Sequence, residues 1–370
     1  MKIVSNVATN FRFSCVFFII LFGYLFFVLI LILKTDSGRF SRSKIAEFYY
    51  DMKYAYYSFS SKNKHNAEVD DIFKRRAKIC EKKHFYTKGD YFRCISDYVV
   101  DSKYMADRLD QLKIHDRAII YLMTDYLCSF PKFQAPNTKM YILITHESDD
   151  SVPIGLCGNE SVKILGDPYL INWYATNADY SHSKLTNIPI GMALDYLPYG
   201  NVTTMQRAVE NYKVPYEKRT TNIFVAFKFY THHYRRKVYE SACLNEELKA
   251  KCVDPDHLTP TWFVSGDLYE AFLREMGNSR FVLSPRGRGI DCYRTWEAII
   301  MGSIPIVPDT VIRDVYKNER VLIMDDLTNI TAKFLDEQFD YFKNATFPES
   351  QVFSRYWTKL ISKQLTDHTN

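Results

Sequence analysis

The stretch "RFVLSPRGRGIDCYRTWEAIIMGSIPIV", residues 280–307, decides how the chain is read. The apolar run Phe281–Leu283 stops at Pro285, whose ring disfavours helical backbone at Ser284, so a strand is predicted to end there. From Asp291 onward the spacing turns helical. Cys292, Trp296, Ile299 and Ile300 can face a sheet, while Asp291, Arg294, Glu297 and Ala298 share the other face at steps of three and four. Gly302 stands where a helix C-terminus is expected, and "IPIV" at 304–307 is the next strand. The unit is strand, glycine-rich loop, helix.

In such units ligands bind beyond the carboxyl ends of the strands, and the free N–H groups at the helix start attract anions. Gly287 and Gly289 let the backbone approach a ligand closely, and Arg286, Arg288 and Arg294 supply charge-assisted donors. A diphosphate fits that set. Glu297 cannot bind phosphate but is suited to accept hydrogen bonds from ribose hydroxyls, so a nucleoside diphosphate accounts for both halves. Two plainer readings stand beside this one. Arg294 and Glu297 could form a surface ion pair worth a few tenths of a kcal/mol, and the glycines could serve only a tight turn. A dinucleotide fingerprint fails because Cys292 stands where its third glycine belongs, and a P-loop fails for want of G-K-[ST].

Outward from this stretch, short apolar runs alternate with helical segments. "RAIIYLM" at 117–123, "MYILITH" at 140–146, "INWYATN" at 171–177 and "LTNIPIGM" at 185–192 read as buried strands. A polar stretch at 201–219 reads as a connector. A second cycle follows with "NIFVAF" at 222–227, a helix at 266–277 closed by Gly277 and Asn278, and "RVLIMDD" at 320–326. Residues 330–364 read as helical, broken near Pro348. Alternation of this kind predicts an α/β protein with mainly parallel sheets. The expected segments are a short tail at 1–12, an anchor at 13–33, a polar stem at 34–72, domains at 73–210 and 211–345, and a helical tail at 346–370.

The chain has 370 residues and a net charge of +5, with 48 basic against 43 acidic side chains. That balance is too mild to make nucleic acid the main partner. Phe13 to Leu33 runs without a charge between Arg12 and Lys34. At about 1.5 Å per residue it spans a bilayer core of about 30 Å. The charges after the span (Lys34, Arg39, Arg42, Lys44) would hold the large C-terminal part in the cytosol. Four N-x-S/T sequons, at Asn159, Asn201, Asn329 and Asn344, favour a lumenal part instead. Of the cysteines beyond the anchor, Cys80 with Cys94 and Cys243 with Cys252 can pair locally. Cys128, Cys157 and Cys292 make the count odd, and no zinc spacing is present.

"SPRGRGIDCYRTWEAIIMGSIPIV" resembles the nucleotide-sugar-binding region of exostosin-like glycosyltransferases, where a PRG loop precedes an R-x-x-E-A helix and a G-x-x-P-[IV] strand. "ITHESDDSVP" at 144–153, "NWYATNADYSHSKLTNIPIGM" at 172–192 and "NIFVAFKFYTHHYRR" at 222–236 are similar to the other strand-end segments of such proteins. The likeness is strong over 220–326 and weaker over 140–195. It implies a GT-B architecture: two Rossmann-like domains facing across a cleft, with a UDP- or GDP-linked sugar in the C-terminal one. It also implies no bound metal, and with the anchor and the sequons the reading becomes a Golgi type II membrane glycosyltransferase acting on a glycan or glycoprotein acceptor. "DPD" at 254–256 matches a metal-binding D-x-D by letters only.

Carried over, Arg294 would hold the diphosphate and Glu297 the ribose. Ser284, Arg286, Gly287, Arg288, Gly289 and Asp291 would line the loop, and Arg235 or Arg236 would be a second phosphate ligand. An inverting transferase also needs a base to deprotonate the acceptor hydroxyl. His146, Glu147, Asp149 and Asp150 follow a strand directly, Asp179 follows another, and Asp149 is the preferred choice. Two rivals remain, a catalytically silent glycan-binding protein of the same fold and a sulfotransferase; the latter lacks a convincing phosphosulfate loop.

Overall fold

In the computed structural model, which describes residues 66–132, 139–254, 266–347 and 350–367, the apolar runs form two five-stranded parallel sheets. The expected anchor, the tail before it and the stem up to residue 65 lie outside the described residues, as does part of "DPD". Among the described residues no helix is long and apolar enough to cross a membrane.

The first lobe opens with helices α1 (Asn66–Lys83) and α2 (Gly89–Ile95). Its sheet follows as β1 (Tyr98–Val100), β2 (Ala118–Met123), β3 (Tyr141–His146), β4 (Leu170–Ala175) and β5 (Leu185–Asn187). The strands lie in chain order, all parallel, with no reversal. This differs from a doubly wound Rossmann order, which reverses at a switch point. β1 was not read because a three-residue strand is too short to show periodicity. "LTNIPIGM" forms a strand only over its first three residues; beyond them the backbone turns towards the second lobe, where Ile190 and Met192 join that lobe's core.

The second lobe begins with α3 (Val202–Tyr212), capped by the Asn201 side chain, which accepts from the Thr204 N–H. The stretch expected to be a connector therefore holds a helix, with Met205 and Ala208 buried. Then come β6 (Thr221–Val225), α4 (Tyr234–Cys243), β7 (Ala250–Cys252), α5 (Gly266–Gly277) and β8 (Ser279–Leu283). The lobe closes with α6 (Tyr293–Ile300), β9 (Ile304–Pro308), β10 (Leu322–Met324) and α7 (Ala332–Asn344). The sheet order is β10-β9-β8-β6-β7, so the direction of winding reverses between β6 and β8. Side chains alternate accordingly. Ile223, Val225, Phe281 and Leu283 pack on one face with Val238 and Leu335, and Phe224 and Val282 on the other with Leu273 and Trp296.

The last helix, α8 (Ser354–Asp367), does not behave as a tail. It returns to the first lobe, where Trp357, Ile361 and Leu365 share a core with Phe73 and Ala77 of α1. That α1 begins at Asn66 also places ordered helix inside the segment expected to be stem. Both expected local disulfides form, Cys80–Cys94 and Cys243–Cys252. A third, Cys128–Cys157, joins segments 29 residues apart, and among the described residues Cys292 is a free thiol.

Candidate functional site

The reversal between β6 and β8 puts the loop 284–291 where an open parallel sheet binds its ligands, beyond the carboxyl ends of the two strands. Ser284 is buried and belongs to the frame. Its N–H donates to the Ile306 carbonyl, and its hydroxyl bonds that of Thr295. Arg235, from α4, is buried beneath the loop. Its Nε donates to the Arg286 carbonyl at 2.8 Å, Nη2 to the Pro285 carbonyl at 3.2 Å and Nη1 to the Lys228 carbonyl at 3.2 Å. Arg235, expected as a phosphate ligand, thus gives three of its N–H donors to backbone carbonyls and shapes the loop. It also explains Gly287, where a Cβ would stand 3.0 Å from Arg235 Nη2. The neighbouring Arg236 is 67% exposed and faces Glu240. Arg286 folds back on the Gly287 and Arg288 carbonyls, while Arg288 stands exposed at the loop's tip.

Arg294 is different. Its side chain is half-buried as a whole, yet Nε and Nη1 are fully enclosed and have no hydrogen-bond partner among the described residues. The guanidinium lies 5.5 Å from the centre of the Phe227 ring, which Arg235 also approaches at 5.6 Å. Burial, and then repulsion from Arg235, pull its pKa down to about 10, so it stays charged at neutral pH. A buried cation with open donors costs about 1–3 kcal/mol for each unpaired group. Such an arrangement persists where an anion completes it. Glu297 does not supply that partner. Glu297 is buried, which excludes a surface ion pair, and one of its carboxylate oxygens accepts from the Tyr269 hydroxyl at 2.9 Å. Burial raises the Glu297 pKa to about 7, against the opposing pull of Tyr269 and Arg294. Tyr269 packs edge-on to Tyr199, which in turn meets Tyr293. An aromatic wall thus runs from Glu297 to the start of α6.

Asp291 was expected to line the ligand side. It is instead buried and saturated. Its oxygens accept from the N–H groups of Ile190 and Cys292, from Trp296 Nε1 and from the Tyr316 hydroxyl. The helix-face reading missed this because Asp291 precedes α6 and points into the junction between lobes.

In the first lobe, the β3 end supplies the carboxylates. His146 is corrected as a base: Nδ1 accepts from the Glu147 N–H and Nε2 donates to the Pro189 carbonyl, so both nitrogens are committed. Burial lowers its pKa and keeps it neutral. Glu147 adopts φ 70° and directs its carboxylate inward to Arg93 and Tyr121. Asp179 caps the turn at Ile154 and Gly155 and also accepts from Ser151. Asp149 and Asp150 are exposed. Of the two, Asp149 lies beside the loop of the other lobe: a Cβ on Gly289 would lie 3.3 Å from its Oδ1. Its charge also acts on Arg235.

Four contributors escaped the sequence reading: Phe227 under the arginines, Tyr269 on Glu297, Arg93 on Glu147, and Asn177. Asn177 receives the Asp291 N–H at the foot of the loop. Phe227 and Asn177, each inside a quoted strand-end segment, carried a signal that could have found them.

No curated protein matches the chain. Residues 212–334, which run from the end of α3 into α7, match the family model described as the RXYLT1 C-terminal domain. The part of the chain that carries the arginine and glycine loop is therefore similar to a glycosyltransferase family.

Proposed function

We propose that the protein transfers a sugar from a nucleoside-diphosphate donor to a glycan or glycoprotein acceptor, with the two lobes in a GT-B arrangement. The observation that carries this reading is Arg294, whose buried Nε and Nη1 have no partner at a switch-point loop. Separate oxygens of a diphosphate would satisfy the two donors, and Arg288 at the loop tip would add charge. In this reading Glu297 holds the ribose, and the arginines offset the charge of the leaving diphosphate without a divalent cation. The acceptor hydroxyl oxygen attacks the anomeric carbon and its proton passes to the Asp149 carboxylate. The bond between that carbon and the phosphate oxygen breaks, its electron pair stays on the diphosphate, and the configuration inverts.

A type II lumenal setting is part of the proposal. Three disulfides suit an oxidising compartment. The sequon residues Asn159, Asn201, Asn329 and Asn344 are all exposed. The direct test is calorimetric titration of the protein with UDP, GDP and inorganic phosphate, followed by UDP- and GDP-sugars. Micromolar binding of one nucleoside diphosphate, with much weaker phosphate binding, is expected. Equal, millimolar binding of all three would reject a nucleotide site.

A pH dependence follows from Glu297. With its pKa raised to about 7, the carboxyl is largely protonated at pH 6 and ionised at pH 8. Only the ionised form accepts from two ribose hydroxyls at full strength, so affinity for the bound nucleoside diphosphate should rise by up to about tenfold over that interval. The nucleotide's own terminal phosphate also ionises, near about 6. Subtracting the profile of Glu297→Gln removes that contribution, and a flat difference would exclude Glu297 from the ribose site.

A further inference from the structure

Resting on the donor reading above, we propose that Asn177 is a positioning residue that holds Asp149 in register with the diphosphate loop. Asn177 is 1% exposed and lies just past β4. Its φ of 56° is left-handed, a conformation that asparagine adopts more readily than most residues. Its two amide ends serve different lobes. Oδ1 accepts from the Asp291 N–H at 2.9 Å, at the base of the loop in the second lobe. Nδ2 donates to the Ser148 carbonyl at 3.3 Å, in the turn that carries Asp149 in the first. Gly289 closes the triangle, since a Cβ there would lie 3.3 Å from both Asn177 Nδ2 and Asp149 Oδ1.

One side chain thereby sets the distance between the loop and the carboxylate. The backbone of Asn177 is held in turn, its carbonyl accepting from the Val152 N–H. Strained backbone of this kind persists only where its surroundings over-determine it.

Asn177→Asp separates the two ends. The substituted carboxylate keeps an oxygen for the Asp291 N–H but sets a second oxygen against the Ser148 carbonyl, so only the Asp149 turn is released. In calorimetry, the Kd for UDP or GDP, whichever the wild type binds, should change less than threefold. Release of that nucleotide from its sugar conjugates in the absence of acceptor should fall at least 30-fold. Turnover within threefold of wild type, or equal losses in affinity and turnover, would overturn the proposal. Should the variant fail to fold, or hydrolysis be too slow to follow, hydrogen exchange on the unmutated protein decides. Saturating UDP or GDP should slow amide exchange at 147–150 together with 287–291, and protection confined to 287–291 counts against coupling. A wild type that binds neither nucleotide sinks the donor reading itself, which is a distinct result.

Discussion

Arg294→Met should abolish nucleoside-diphosphate binding while leaving the free protein at least as stable as the wild type. The two effects share one cause. In the free protein Nε and Nη1 are enclosed without partners, and Arg235 repels the same guanidinium. Methionine keeps the volume, packs its sulfur against Phe227 and removes the unpaired donors. Each donor removed relieves a penalty of about 1–3 kcal/mol, part of which is returned as the cation's contact with the ring is lost. A melting temperature raised by a few degrees is expected. Binding loses two charge-assisted contacts to phosphate oxygens, which corresponds to a loss in affinity of about 100-fold or more. Arg294→Lys should recover only part of it, because an ammonium cannot place two donors in a plane. A variant that is destabilised yet binds normally would show that the open donors are met by water and that the anion lies elsewhere.

The contrast between Arg294 and Arg235 also marks how far sequence reading reaches. The fold class was legible because apolar runs of five or six residues, punctuated by proline and glycine, admit few alternatives to buried parallel strands. Three-residue strands such as β1 and β7 lie below that threshold. The polar segment 201–219 concealed α3, because an amphipathic helix with only Met205 and Ala208 buried carries little apolar signal. The docking of α8 onto α1 joins residues almost three hundred positions apart, and local pattern contains nothing of it.

Within the site, residue type and helical spacing identified Arg294 and Glu297 as a pair on one face. What spacing could not distinguish is an arginine left open from one already used. Arg235 and Arg294 approach the same ring, and both lie near a strand end. Only their partners separate them, and those partners are backbone carbonyls fixed by the tertiary fold. The same holds at the β3 end. His146, Glu147 and Asp149 are near neighbours in sequence, but the left-handed turn at Glu147 sends one carboxylate inward and leaves the other exposed.

Asp291→Ala should be the most damaging single substitution in the second lobe. The carboxylate accepts from four donors, and three of them, on Ile190, Trp296 and Tyr316, come from different places in the fold. Removing it leaves buried donors at about 1–3 kcal/mol each, on the order of 4 kcal/mol or more in total. Set against a global stability of 5–15 kcal/mol for a typical domain, that is enough to lower the melting temperature by about 10 °C. Asp291→Asn keeps the volume and removes the charge, although either amide orientation turns an NH2 towards a backbone N–H that cannot reverse. Its pH dependence has a definite sign. Burial raises the Asp291 pKa from 3.8 to about 6, so the folded state binds the proton more tightly than the unfolded chain. The stabilising share of that proton is complete below about 4 and is lost as pH rises through 6, a change on the order of 3 kcal/mol. The wild type should therefore lose stability relative to Asp291→Asn between pH 4 and 6.5, and the gap between their denaturant midpoints should narrow. A gap that widens with pH would mean that the ionised carboxylate is the form the four donors favour, and that Asp291 joins the lobes as an anion.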